Sequence, residues 1–249
     1  MRMRISVTDL DALQYYYDSE DMTLKDFLRR ILKLEEPGEK ARAGSAFHKI
    51  LEHISRGVYS NGRAHQEGIY EHDGYVFDAG ELDIRLGKPD VHEVKLEKEY
   101  QVGQHTVTLV GQVDNIVGHQ ITEYKTTHNL QMPRYMTSVQ WRAYLAMLEQ
   151  AQCVRFEFFH LAPSGAKSHY RIKEHSWSVH FRYPNVERDV LASLSHFVGF
   201  LEHMLRQGYV HLIYDTDEGK IRMRPGKRMV EDFGEEVIKP WTETNATSL

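Results

Sequence analysis

The sequence predicts an α/β fold, a mixed central β-sheet flanked by helices, on three observations. Apolar residues recur at helical spacing through the first 55 residues, at a period of two from about 69 to 127, and at helical spacing again after 137. Helices both before and after a block of strands argue for one layered core rather than separate domains. With 249 residues, 41% hydrophobic and 27% charged, the chain is long enough and apolar enough to bury such a core.

The elements follow in order. Ser6 or Thr8 can cap a first helix through Leu10, Leu13 and Tyr16. A second, amphipathic helix reads Leu24 to Leu32 and is broken by Glu36-Pro37-Gly38-Glu39. A third spans 41–55, with Phe47, Ile50, Leu51 and Ile54 at helical spacing. Ile69 to Phe77 reads as a hairpin turning at Asp73-Gly74. Strands follow at 91–101, 105–117 and 120–127, then a helix at 137–150, strands at 153–161 and 167–173, and a long helix from Asn185 to Arg206. The last forty or so residues are polar, and 241–249 is expected to be a flexible tail.

Composition narrows the class. No stretch approaches the roughly 18 apolar residues of a membrane span, so no membrane association is expected. The N-terminal Met-Arg-Met-Arg lacks the apolar centre of a secretory signal. One cysteine, Cys153, excludes an internal disulfide and a four-thiolate zinc or iron–sulfur site, and a reducing cytoplasmic setting is the default. Fifteen histidines show no convincing zinc spacing beside a carboxylate. The formal charge of -5 argues mildly against a nucleic-acid partner. A cation-binding site concentrates carboxylates, however, and binding depends on local patches.

Chemistry concentrates between Leu109 and Thr127. Gly118-His119 fits a two-residue turn with glycine first, a type II′ geometry. Pairing outward from it sets Asp114 directly opposite Glu123 and Gln112 opposite Lys125. Opposed side chains have Cβ atoms about 4.5–5.5 Å apart, so the two carboxylates repel. A divalent cation removes that cost, and hard oxygen donors suit Mg²⁺ or Mn²⁺. Lys125, two residues after Glu123, projects from the same face and can offset charge on a phosphoryl transition state. Two acids and a lysine on one face suit phosphodiester hydrolysis. A solvated salt-bridge cluster is the bland alternative.

Four segments in order resemble the PD-(D/E)XK nuclease superfamily, and within it the RecB-like exonucleases and small CRISPR-associated exonucleases: Gly44 to Glu52, Gly111 to Ile116, Glu123-Tyr124-Lys125-Thr126-Thr127, and Gln140 to Tyr144. The resemblance implies a restriction-endonuclease-like core in a single domain over 1–240. Its parts would be N-terminal helices at 6–55, a catalytic core at 44–175, and a C-terminal helix with a basic segment at 185–240. It implies metal ligation by His48, Asp114, Glu123 and the backbone carbonyl of Tyr124, with Lys125 as the catalytic lysine. Gln140 would orient water or the strand, and Gln140 and Tyr144 would contact DNA or brace the site. Their i, i+4 spacing independently puts both on one helical face. Many relatives carry cysteines for an iron–sulfur cluster, which this chain lacks.

The expected activity is a Mg²⁺- or Mn²⁺-dependent deoxyribonuclease, an exonuclease acting on single-stranded DNA or DNA ends. Recombination, repair and phage DNA processing, with recombination or replication proteins as partners, are the settings the resemblance brings. The alternative is an inactive nuclease-fold scaffold. Arg222, Arg224, Lys227 and Arg228, around Pro225-Gly226, read as a flexible basic loop able to engage DNA. Lys25, Arg29, Arg30 and Lys33 read as a solvated helix face. Tyr15-Tyr16-Tyr17 offers a base-stacking candidate, with core packing expected for at least one ring.

Overall fold

Arg2-Met3-Arg4-Ile5 alternates charged and apolar residues, and it forms a strand that the helix-first reading passed over. In the computed structural model, which describes residues 2–58, 68–82, 84, 86–129, 132–215 and 220–238, β1 (Arg2–Ser6) buries Met3 and Ile5 and exposes both arginines. It leads directly into α1 (Val7–Asp18), where the Ser6 hydroxyl accepts from Asp9 N–H at 3.1 Å and the Asp9 carboxylate accepts from Ser6 N–H at 3.2 Å. Thr23 and Asp26 repeat that capping box ahead of α2 (Leu24–Ile31). Helix α3 is Glu39–Ser55.

The strands are β2 (Ile69–His72), β3 (Tyr75–Asp78), β4 (Val91–Val102), β5 (His105–Val117), β6 (Gln120–Thr127), β7 (Cys153–Pro163) and β8 (His169–Phe181). They join β1 in an eight-stranded sheet ordered β1-β5-β6-β7-β8-β3-β2, with β4 on β5. The β1–β5, β6–β7 and β8–β3 pairs are parallel and the others antiparallel, so the sheet is mixed as expected.

Helices cover both faces. One buried layer packs α1, α2, α5 (Val139–Met147) and α6 (Val186–Gln207) against the sheet. The other packs α3 against β2, β3 and the ends of β7 and β8. Phe158 and Phe159, adjacent on β7, belong to opposite layers, as the period of a strand requires.

Three expectations need revision. The helix expected at 137–150 is α5, and a short helix, α4 (Met132–Thr137), that was not expected precedes it; Ser138, at an extended ψ of 136°, separates them and caps α5 by accepting from Gln140 N–H. Strand β8 runs well past 173, paired with β7 up to Cys153↔Phe181. The described part of the polar C-terminal stretch carries regular elements: β9 (Val210–Asp215) and β10 (Lys220–Pro225) pair antiparallel, followed by α7 (Lys227–Phe233). The expected tail at 241–249 lies outside the described residues. Among those residues no helix is long and apolar enough to cross a membrane.

Candidate active site

Strand β5 is held unequally along its two edges. Strand β4 accompanies one edge from Val91↔Ile116 to Val102↔His105, while the other is shared between β1 at residues 106–110 and β6 at 115–117. Residues 111–114 face the opening between β1 and β6. The expected hairpin register holds at Val117↔Gln120, Ile116↔Ile121 and Asn115↔Thr122, and of the turn pair only Gly118 has positive φ, 54°.

Beyond Asn115 the ladder stops. Asp114 is therefore not paired directly across from Glu123, nor Gln112 across from Lys125. Strand β1 takes the β5 edge at 106–110 that a continuing β6 would need, and where the strands part Tyr124 N–H donates to the Asp114 carboxylate at 2.7 Å in place of a ladder carbonyl. The strand's faces also exchange here. Val107, Leu109 and Val113 pack in the α1–α5 layer and so does Ile116, whereas Asn115 donates to the Tyr124 hydroxyl of the α3 layer at 2.6 Å. Across the sheet Glu93 has φ 48°, a left-handed conformation costing a non-glycine residue about 1–3 kcal/mol and typical of functional sites.

Glu123 is 6% exposed in this opening. Its Oε1 receives Lys125 Nζ at 3.1 Å and Gln140 Nε2 at 2.9 Å, with the Tyr144 hydroxyl at 3.4 Å. Its Oε2 is buried with no hydrogen-bond partner. The Tyr144 hydroxyl donates to Gln112 C=O at 2.8 Å, satisfying a carbonyl that the opening leaves without a strand. Gly111 makes room for that ring, since a Cβ there would lie 2.8 Å from Tyr144 Cε1 and 3.1 Å from Val7 Cγ2. Tyr144, 2% exposed, is held against the Gln112 carbonyl, and Gln140, 6% exposed, directs its amide to Glu123 and to the Tyr144 hydroxyl.

His48 arrives on α3, brought down by Gly44 one turn earlier. A Cβ on Gly44 would lie 2.7 Å from Thr126 Oγ1 on β6, so the helix approaches the strand as closely as glycine allows. Gly44→Ala is expected to lift α3 and cost about 1–3 kcal/mol. Chemical denaturation of Gly44→Ala and of Gly44→Ala/Thr126→Ala checks this: the second change should restore most of the loss, and a purely additive pair would refute the contact.

The electrostatics bind these groups together. Burial lowers the His48 pKa to about 4, and the Lys125 charge pushes the same way while Glu123 opposes. Burial raises Glu123 to about 6, with Lys125 opposing and Asp114 adding to the rise. Burial also raises Asp114, against the Tyr124 N–H and Lys125. For Lys125 burial disfavours the ammonium, yet Glu123 and Asp114 outweigh it and hold the pKa above the usual lysine value. His48, Asp114, Glu123 and Lys125 are therefore electrostatic neighbours. Among the described residues, no three His, Cys, Asp or Glu side chains are already gathered as a ligand set.

Two depressions meet at β6. One, of about 420 Å³, exposes Glu123, Lys125, Gln140 and Gln112 between Arg4 and Lys95. The other, of about 640 Å³, runs along α3 past His48 to Thr126, Thr127 and Arg134.

The C-terminal basic residues are placed elsewhere than a flexible loop. Arg222 and Arg224 lie on β10, Lys227 pairs with Glu231 at 3.1 Å, and Arg228 pairs with Asp232 at 3.3 Å and lies over the Tyr209 ring. Of the tyrosines, Tyr16 stacks on Phe27 in the core, Tyr17 stacks on His196, and Tyr15 lies under the Arg134 guanidinium at 4.0 Å. Sequence reasoning missed Arg134 because only the α4–α5 break carries it to α1.

A family model for the PD-(D/E)XK nuclease superfamily matches residues 23–228. The chain belongs to that superfamily. Its mixed sheet flanked by helices is the restriction-endonuclease-like core, and the matched span contains His48, Asp114, Glu123, Lys125, Gln140 and Tyr144. No curated protein matches the chain by sequence. Among solved structures it is similar to SSO0001 at 16% identity, covering 78% of this chain and 76% of that one with a TM-score of 0.43. It is similar to LHK-Exo in complex with dAMP at 13% identity, covering 82% and 90% with a TM-score of 0.43. A protein from Eubacterium rectale matches at 11% identity, covering 93% and 94% with a TM-score of 0.45. Likeness at this level says nothing about activity.

Proposed function

We propose that this superfamily member is a Mg²⁺- or Mn²⁺-dependent deoxyribonuclease, hydrolysing phosphodiester bonds from the ends of DNA, single-stranded DNA foremost. One observation carries the reading. Glu123 has one oxygen gripped by Lys125 and Gln140 while the other, Oε2, is buried without a partner. A buried unpaired acceptor costs about 1–3 kcal/mol, more when charged, and a cation removes that cost.

The donor set fits a hard divalent ion: two carboxylates, a neutral imidazole and a backbone carbonyl, from Asp114, Glu123, His48 and Tyr124. When bound, such a cation acidifies water and neutralises charge on a phosphate. The chain's own residues do the rest. Gln140 and Tyr144 fix the Glu123 rotamer, and Asp114 is fixed by the Tyr124 N–H. Lys125 Nζ, in the same cleft, presents an ammonium to a phosphate oxygen and to the attacking water.

The test compares end-labelled linear single- and double-stranded DNA, circular single-stranded DNA and RNA, with Mg²⁺, Mn²⁺ or EDTA. Shortening of linear DNA with either metal, resistance of circles and silence in EDTA are expected. Cleaved circles would replace the end-dependent reading with an endonuclease, and preferred cleavage of RNA would replace DNA as substrate. No cleavage of any substrate with metal would leave the inactive-scaffold reading.

A further inference from the structure

The two depressions beside β6 differ in charge from a third close by. None of the residues lining the α3 groove is an Asp or Glu, although acids outnumber bases 36 to 31 in the chain. Its walls carry Lys40, Lys49 and Arg134, with the hydroxyls of Ser45 and Thr127 between them. His48 and Thr126 line the same groove, so it opens directly onto the site. On the far side of Arg134 the sign reverses: a pocket of about 400 Å³ is lined by Asp11, Asp18, Glu20 and Asp21. Arg134 borders both, its guanidinium fixed over the Tyr15 ring at 4.0 Å.

Lys49 is committed, bridging Glu52 at 2.8 Å and Glu93 at 3.2 Å. Among the described residues no carboxylate pairs with Lys40 or Arg134. Both are donors of the kind that follow a phosphate backbone, and the stacked guanidinium of Arg134 is held in place ahead of any ligand.

We propose that the α3 groove is the track for the substrate strand, with Lys40 and Arg134 holding backbone phosphates next to the scissile one and the acidic pocket beyond Arg134 turning the strand away from α1. This rests on the nuclease reading and names the residues that hold its substrate. It also moves the principal DNA contacts from the C-terminal basic residues to the α3 side of the site.

The experiment measures binding of a fluorescent oligothymidylate in EDTA at several salt concentrations, and cleavage of the same oligonucleotide with Mn²⁺. Lys40→Ala and Arg134→Gln should each reduce the slope of log affinity against log salt by about 0.7, the value for one single-strand phosphate contact. Each should raise KM and leave kcat near that of the unaltered chain, and Arg134→Lys should recover the slope. Unchanged slopes in a chain that still cleaves would overturn the track while leaving the nuclease reading intact. A fall confined to Lys227→Ala/Arg228→Ala would overturn it in favour of the C-terminal segment. Reduced slopes in a chain that cleaves nothing would uphold the track and remove the enzyme.

Discussion

Lys125→Ala is expected to lower DNA cleavage by roughly 10²–10³-fold, the usual effect of losing one donor aimed at developing charge. The same change should destabilise the metal-free chain, for a separate reason. Lys125 Nζ is the only cation hydrogen-bonded to Glu123 among the described residues, and the two side chains are only 19% and 8% exposed. Removing one partner of a buried pair costs about 3–5 kcal/mol, because a bare charge is left behind. Glu123 escapes part of that by taking up a proton, which limits the loss. The two effects separate by measurement. Denaturant unfolding in EDTA reads the stability loss, while Mn²⁺ should raise Tm by more in Lys125→Ala than in the unaltered chain, since the cation then replaces the missing charge. Cleavage within about tenfold of normal, in a variant shown to be folded, would remove Lys125 from the reaction.

How much of this was legible in the sequence depends on how far apart the interacting residues lie. The β5–β6 turn and its register were readable because Gly118-His119 and the alternation around it are local. Helix α3 was readable from Phe47, Ile50 and Leu51, all fully buried. The splaying of the hairpin was not, because it depends on a strand a hundred residues earlier. β1 takes the edge of β5 that a continuing β6 would have used, and Asp114 then accepts from Tyr124 N–H. The alternation Arg2-Met3-Arg4-Ile5 was the available sign of β1, obscured by the stronger capping signal at Ser6. Gln140 and Tyr144 were named from the resemblance and put on one helical face by their i, i+4 spacing, but their burial beside Glu123 is a property of the folded chain that spacing does not report. The α3 groove was invisible for a different reason: Lys40 and Arg134 meet only in the folded chain.

Metal binding is expected to depend on pH through Glu123 rather than His48. In the metal-free chain Glu123 is raised from 4.5 to about 6, so the folded state binds a proton more tightly than the unfolded chain. That contribution makes stability fall as pH rises from about 4.5 to about 6, by on the order of 2 kcal/mol. His48, lowered from 6.5 to about 4, has the opposite sign: the unfolded chain binds the proton more tightly, so stability rises with pH between about 4 and 6.5. The two oppose each other across their shared window, and the stability of the metal-free chain should vary little between pH 5 and 6. A cation needs Glu123 and Asp114 ionised and His48 neutral, and above pH 5 the His48 condition is already met. The Tm increase produced by Mn²⁺ should therefore be small at pH 5, grow through pH 6 and level off by pH 7. Calorimetry in buffers of different ionisation enthalpy should show proton release on binding near pH 5.5 and almost none at pH 8. His48→Ala should weaken binding without moving that midpoint, whereas Glu123→Gln should weaken it and flatten the pH dependence. A Tm increase that is the same at pH 5 and pH 8 would mean that Glu123 is not a ligand.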